Sequence, residues 1–140
     1  MNRSTREQML AQVLKAVELR SSCTRRRVAA LIVRDGRILS TGYAGSPSGT
    51  PHCIDEGCIL GPDGGCIRTQ HAEMNAIAWA AREGVATLGA DMWVSCTPCL
   101  HCAKLIINAG IKHVYAIEEY RIAAGVELLG QAGVAVTIHQ

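Results

Sequence analysis

Two short runs carry the residues most able to do chemistry in this chain. They are His71-Ala72-Glu73 and Thr97-Pro98-Cys99-Leu100-His101-Cys102. Together they offer one imidazole and two thiolates, a donor set that suits zinc and leaves the fourth tetrahedral position open to water. Glu73 stands two residues after the histidine and outside that set, where a proton-carrying carboxylate is needed. Cys99 and Cys102 are spaced i, i+3 and so share one face of a helix. Thr97 as N-cap and Pro98 at the first helical position would place both cysteines in the first turn. There the free N–H groups and the helix dipole favour thiolate over thiol.

A lone C-x-x-C also suits a redox dithiol or half of a structural zinc knuckle, and a lone His-x-Glu means little. The combination, with a proline before the first cysteine, points instead to metal-assisted hydrolysis. A structural site would close the fourth position, whereas here a carboxylate stands beside it. Backbone N–H groups at the start of the His71 helix, such as that of Ala72, are suited to hold a carbonyl oxygen of a substrate ring.

A second group comprises Cys23, His52, Cys53, Cys58 and Cys66. These donors suffice for a structural zinc that would pin a loop having no core of its own. The irregular C-x₄-C-x₇-C spacing is less diagnostic than two C-x₂-C knuckles, and the alternative is cysteines buried as small hydrophobes.

The elements that must position these residues can be read from periodicity. Ser4 with Glu7 makes a capping box, and Met9, Leu10, Val13, Leu14 and Val17 recur at helical spacing, which predicts a helix over 4–20. Val28 to Val33 is a near-continuous apolar run, and Asp35-Gly36 is a hairpin turn leading to a strand over 38–41. Residues 43–70 are rich in glycine and hold three of the four prolines. A loop that long is usually functional or tied down. A helix is expected over 71–83, a strand over 92–96, a helix from 97 to the stop at Gly110, a strand over 114–117, a helix over 122–131 and a strand over 134–138. Strands alternating with helices in the second half require right-handed crossovers and parallel pairing. The expectation is an α/β fold, a three-layer α/β/α sandwich. Its five-stranded mixed sheet has an antiparallel N-terminal hairpin and parallel C-terminal strands.

Size and composition set the outer limits. With 140 residues, 49% of them hydrophobic and 19% charged, the chain reads as one ordinary globular domain over 1–140. No apolar run is long enough to span a membrane, and the N-terminal segment reads as amphipathic rather than as a signal core. A net charge of +2 is too small to argue for a nucleic-acid polymer, and none is expected as partner. Arg25-Arg26-Arg27 reads as a solvated segment before a strand. Seven cysteines, an odd number, together with C-x-x-C spacing, favour reduced thiols and metal over a secreted disulfide scaffold, hence a cytoplasmic enzyme.

The pattern H-x-E…P-C-x-x-C is shared by zinc-dependent nucleobase deaminases. Beyond it, the chain resembles the deoxycytidylate (dCMP) deaminases, in particular short bacterial and phage-type members. The resemblance runs from about Val28 to Val136. It rests on Val28-Ala29-Ala30-Leu31-Ile32-Val33, Gly42-Tyr43-Ala44-Gly45-Ser46-Pro47, His52-Cys53-Ile54-Asp55-Glu56-Gly57-Cys58, the run Cys66 to Ile77, Pro98-Cys99-Leu100-His101-Cys102-Ala103-Lys104 and Glu119-Tyr120-Arg121. The Cys-Ile-Arg-Thr run before His71 and the His-Cys…Asp-Glu-Gly-Cys loop single out the deoxycytidylate branch.

The resemblance implies a cytidine-deaminase-type fold, hydrolysis of dCMP to dUMP and ammonia, and a homo-oligomer, often a hexamer. It also implies a catalytic Zn2+, a second structural Zn2+, and dCTP and dTTP as effectors. Carried over residue by residue, His71, Cys99 and Cys102 match the zinc ligands and Glu73 the proton shuttle. Arg68 is the candidate for the 5′-phosphate, with a surface salt bridge as its alternative. Tyr120 and Arg121 are further candidates, and Thr97 and Ala72 flank the substrate. One departure stands out: Ala44 occupies a position where the family usually has asparagine, and alanine offers no hydrogen-bonding group. A modified cytosine nucleotide or another aminated heterocycle is therefore the alternative substrate. A zinc-stabilised binding module without turnover is the alternative class.

Overall fold

In the computed structural model, which describes residues 1–139, Thr5 rather than Ser4 caps the first helix. Its hydroxyl accepts from the Gln8 N–H at 3.0 Å, and Gln8 Oε1 accepts from the Thr5 N–H at 2.8 Å. The capping box is thus shifted one residue from the expected Ser4–Glu7 pair, and α1 spans Arg6–Glu18. Its buried positions are Leu10 and Leu14, one turn apart.

Strand β1 (Ala29–Arg34) turns into β2 (Arg37–Tyr43) through Asp35 and Gly36, both at positive φ (54° and 74°). That pair of angles makes a type I′ turn, whose twist matches the hairpin it closes. The apolar run of β1 is continuous because both faces are covered. Ala30 and Ile32 join one cluster, and Ala29, Leu31 and Val33 the other.

The chain then passes through α2 (Cys53–Glu56), a short helix inside the long loop that carries no periodic signal of its own. It continues through α3 (Ala72–Arg82), β3 (Asp91–Cys96), α4 (Leu100–Asn108), β4 (His113–Glu118), α5 (Ala124–Gln131) and β5 (Ala135–Ile138). The sheet order is β2-β1-β3-β4-β5. β1 is antiparallel to both β2 and β3, whereas β3–β4 and β4–β5 are parallel, with Met92 opposite Val114 and Val114 opposite Val136. This is the expected three-layer α/β/α sandwich with its mixed sheet.

Successive parallel crossovers in one direction place their helices on one face. Accordingly Ile106 of α4 and Leu129 of α5 share a cluster with Ala76 of α3 and with Ile32, Met92, Val94 and Val114 of the sheet. α1 covers the other face through Leu10 and Leu14 against Leu31, Val33 and Trp93. β2 lies close under α3: a Cβ on Gly42 would meet the Ala72 carbonyl oxygen, so only glycine fits there.

One boundary matters for function. α4 starts at Leu100 with Cys99 as its N-cap, not with Thr97 as cap and Pro98 as first residue. The Thr97 hydroxyl is engaged elsewhere, accepting from the Tyr120 N–H at 2.7 Å, while its own N–H donates to the Glu118 carbonyl at 2.9 Å. Residues 97–98 therefore prolong the line of β3 before the helix begins.

Candidate metal centre and active site

Two helix starts converge beyond the carboxyl ends of the strands. His71 is the N-cap of α3 and Cys99 the N-cap of α4, and neither side chain caps its own helix. Both are therefore free to point at a shared ligand. Cys102, the third residue of α4, is fully buried. His71 Nδ1 lies 3.2 Å from Cys102 Sγ and 3.5 Å from Cys99 Sγ, and the three donor atoms all fall within 4.8 Å of one another. Tetrahedral zinc, with bonds of about 2.0–2.1 Å to nitrogen and 2.3 Å to sulfur, separates such donors by roughly 3.5 Å. The donor set and its spacing fit that metal.

The electrostatics favour a thiolate-bearing centre. A hydrogen bond from the Cys102 thiol, aided by the His71 imidazole, holds the Cys99 thiol down at about 3. Cys102, hydrogen-bonded to that thiolate and buried, keeps its own proton in the metal-free protein. The hydrogen bond to Cys99 raises the His71 imidazole. Binding a divalent cation would displace these protons, which couples affinity to pH.

Glu73, the second residue of α3, is 5% exposed. Burial pushes its carboxyl above the usual range, with the neighbouring imidazole pulling the other way. An acid lifted in this manner is suited to carry a proton near neutral pH. Because the His71 side chain does not cap α3, the Ala72 N–H stays available to a ligand, while the Glu73 N–H bonds to its own carboxylate.

The second group of sulfurs forms a smaller set than the sequence offered. Cys53, Cys58 and Cys66 gather with their sulfurs within 4.8 Å, Cys53 and Cys66 being 3.6 Å apart. Tetrahedral zinc thiolates stand about 3.8 Å from each other, so this set also fits. His52 is not in the group. Its Nδ1 is paired at 2.6 Å with the hydroxyl of buried Ser22, which turns the ring to another partner. Cys23 is also outside it, although the next residue skirts the cluster, Thr24 Oγ1 lying 3.5 Å from Cys58 Sγ. Thr69 Oγ1, 3.1 Å from Cys53 Sγ, is a neighbour that the sequence reading missed. Burial works against ionisation of Cys66, yet hydrogen bonds from the Thr69 and Arg68 backbone pull its thiol down to about 6; burial pushes Cys53 up to about 11.

The other expected site residues are distributed around the helix starts. Ala44 is 7% exposed and held by its backbone: its N–H donates to Val28 O, and its carbonyl accepts from the Ser22 N–H and Ser21 Oγ. Arg68 lies in the loop between Cys66 and His71 and donates through Nε to Gly57 O at 2.9 Å. That bond ties the loop through Nε. Tyr120 is moored to Thr97 as described, and Arg121 is exposed.

Two further positions escaped the sequence reading. Asn75, one turn along α3 from His71, donates to three backbone carbonyls. A polar residue inside a helix, where it competes with helical hydrogen bonds, was the available signal. Gly125 at the start of α5 packs so closely that a Cβ would meet Pro98 O and Cys99 O. Nothing in the local sequence distinguishes it from a flexible glycine.

Residues 3–118 match the family described as the cytidine and deoxycytidylate deaminase zinc-binding region. ComE operon protein 2 of Bacillus subtilis is 51% identical over 119 residues, covering 84% of this chain and 62% of that protein. The deoxycytidylate deaminase of Enterobacteria phage T4 is 34% identical over 146 residues, covering 78% and 76%. The chain thus spans less than two thirds of the Bacillus protein's length. Among solved structures, the dCMP deaminase of cyanophage S-TIM5 in complex with dCMP and dUMP superposes with a TM-score of 0.87 at 33% identity. That match covers 99% of this chain and all of the phage chain.

Proposed function

The chain belongs to the cytidine and deoxycytidylate deaminase family, and from that premise we propose that it hydrolyses dCMP to dUMP and ammonia. The observation that carries this reading is the buried Glu73 carboxyl beside a zinc-fitting His71–Cys99–Cys102 set, built on two open helix starts. Zinc held there would supply Lewis-acid activation of water near neutral pH. Glu73 takes a proton from the attacking water and delivers it to ring nitrogen N3, then takes the second proton from the hydroxyl added at C4 and passes it to the amine that leaves from C4. One water enters and one ammonia leaves, so the carboxyl ends in its starting state. In this reading the Ala72 N–H donates to the pyrimidine carbonyl oxygen. Arg68, Tyr120 and Arg121 are the residues assigned to the 5′-phosphate side, with Thr97 and Ala44 beside the sugar and base.

The Cys53–Cys58–Cys66 set is assigned three of the four ligands of a structural zinc that fixes the loop ahead of His71, the fourth coming from outside these thiols. A homo-oligomer, hexameric by family resemblance, accords with the apolar side chains this loop exposes. Ile59, Leu60 and Ile67 are 44%, 62% and 65% exposed and are brought together by the Leu60–Cys66 bridge and the Ile67 N–H to Ile59 O bond. Regulation by dCTP and dTTP accords with a cavity of about 250 Å³ outside the catalytic cluster. Trp79 and Tyr43 line it, and the Arg82 guanidinium lies 4.7 Å over the Trp79 ring. No helix is long and apolar enough to cross a membrane among the described residues. The odd cysteine count and the C-x-x-C spacing support a cytoplasmic setting.

The test is ammonia release from dCMP, CMP, 5-methyl-dCMP and a panel of aminated purines and pteridines. Release from dCMP, lost by about 10²–10⁴-fold or more in Glu73→Ala with zinc content retained, is the expected result. Release only from another heterocycle would make Ala44 the mark of a different substrate. No release from any compound would favour the binding module.

A further inference from the structure

We propose that Asn75 is a positioning residue of the site, one whose amide sets the distance between the Ala44 wall and the His71–Glu73 wall. This rests on the deaminase reading above for its functional consequence, though not for its geometry. The Nδ2 group donates to Tyr43 O at 2.9 Å and reaches Gln70 O at 3.3 Å and Gly45 O at 3.4 Å. Oδ1 accepts from Gln70 Nε2 at 2.9 Å. Two N–H donors facing three carbonyls, with the acceptor taken by another amide, use all the hydrogen-bonding directions that matter. They also fix which way the amide is turned.

The partners are what give this contact meaning. Tyr43 and Gly45 flank Ala44 on either side in the chain, and Gln70 is the residue that leads into His71. Gly45 and Gln70 exchange two further backbone bonds of 3.2 and 3.0 Å, and the Asn75 N–H donates to His71 O at 3.0 Å. One side chain therefore joins the end of β2, the approach to the imidazole and the first turn of α3. Without it, nothing but the Gly45–Gln70 backbone pair is left to join the Ala44 segment to the approach to His71, its other bonds, to Val28, Ser21 and Ser22, lying on the far side. The His71–Cys99–Cys102 set is anchored independently, because Ala72, Ala76, Cys102 and Ala103 are all fully buried. Loss of the clip should thus loosen the wall that faces the nucleotide while leaving the metal donors in place.

Zinc-loaded Asn75→Ala and Asn75→Asp proteins test this against wild type by dCMP kinetics, zinc content and amide hydrogen exchange of residues 43–48. Asn75→Asp is nearly isosteric, yet it sets carboxylate oxygens against the carbonyls that Nδ2 now serves. The expected result is a KM raised roughly three- to tenfold in Asn75→Ala, and more in Asn75→Asp. The value of kcat should stay within about twofold and zinc should be retained, with faster exchange confined to 43–48. An unchanged KM in both variants with only a lower melting temperature would overturn the proposal, since the contact would then serve stability alone. So would loss of zinc, which would place the effect on His71. If wild type released no ammonia from dCMP, the functional reading would fall by that control, while unchanged exchange at 43–48 would separately refute the clip.

Discussion

His71, Cys99 and Cys102 are carried by the first residues of two helices whose bodies are packed in the core. Cys53, Cys58 and Cys66 are carried by a four-residue helix and the irregular chain that follows it. Both groups bring sulfur donors to within 4.8 Å, so ligand chemistry alone does not separate them. What differs is the support and the company. The first has a buried carboxylate two residues away and uncapped helix N–H groups beside it. The second has the hydroxyls of Thr69 and Thr24. A metal on the first would meet a carboxyl suited to carry a proton, whereas the neighbours recorded for the second set are hydroxyls. The loop set owes its order to its own cross-links, whereas the helix-borne set is ordered by the fold before any metal arrives.

The largest test of that contrast exchanges one ligand in each set. Cys99→Ser should abolish dCMP turnover by several orders of magnitude and lower zinc by one equivalent, with a modest change in melting temperature. Cys58→Ser should do the reverse, lowering the melting temperature by several degrees while kcat survives at the temperatures where the loop stays folded. Zinc analysis of both proteins decides the stoichiometry. If Cys58→Ser left zinc and melting unchanged, the loop sulfurs would be packing residues after all.

A finer test leaves the ligands alone and disturbs their support. Gly125→Ala would put a methyl group against the Pro98 and Cys99 carbonyls, forcing the cap of α4 to shift. A displacement of this kind misplaces Cys99, so kcat/KM should fall about tenfold or more. Stability should drop by about 1–3 kcal/mol from overpacking. The same substitution at Gly49, where a Cβ meets nothing but φ is positive, should affect stability without the loss in kcat/KM.

Smaller again is the electrostatic signature of Glu73. Burial raises its carboxyl in the folded, metal-free protein relative to the unfolded chain. The native state then holds its proton longer, so this residue's contribution to stability falls as pH rises from the ordinary carboxylate range through the elevated native value. Glu73→Gln should remove that loss. Metal-free Glu73→Gln should melt a few degrees above wild type at pH 7 and show a flatter pH dependence. Equal melting at pH 7 would show that the carboxyl is solvated or paired.

The smallest effect concerns Ala44. Restoring an amide by Ala44→Asn should raise kcat/KM for dCMP by a few-fold, since one hydrogen bond to substrate is worth about 0.5–1.5 kcal/mol. The backbone of residue 44 is already fixed by bonds to Val28, Ser21 and Ser22, so the change is confined to the side chain. A fall on dCMP matched by no gain on any other aminated ring would mean that residue 44 does not face the ligand.

Much of this architecture was legible without coordinates because its signals are local. The type I′ turn follows from Asp35-Gly36, the doubly covered β1 from an unbroken apolar run, and the parallel half from alternating strands and helices. Element ends were read less well where a side chain had a distant partner. Thr97 looks like a helix cap until Tyr120, far along the chain, takes its hydroxyl. The short α2 was missed because its four residues have no period to display. His52 and Cys23 were grouped with the loop cysteines by type and proximity in the chain. Ser22 claimed the imidazole, and the Cys23 thiol lies outside the set.

The sequence by itself determined the chemistry: which residues could bind zinc, that a carboxylate stood beside them, and the order of strands and helices that would carry them. Those facts depend on residue type and short-range spacing, which a chain states directly. The tertiary structure decided the company each residue keeps. It made His71 and Cys99 caps of facing helices, chose three loop thiols from five candidate donors, turned Asn75 into a clip and made Gly125 a point of close approach. Such pairings arise when segments distant in sequence compete for the same hydrogen bond or the same volume. That competition is resolved only once the sheet has fixed which segments meet.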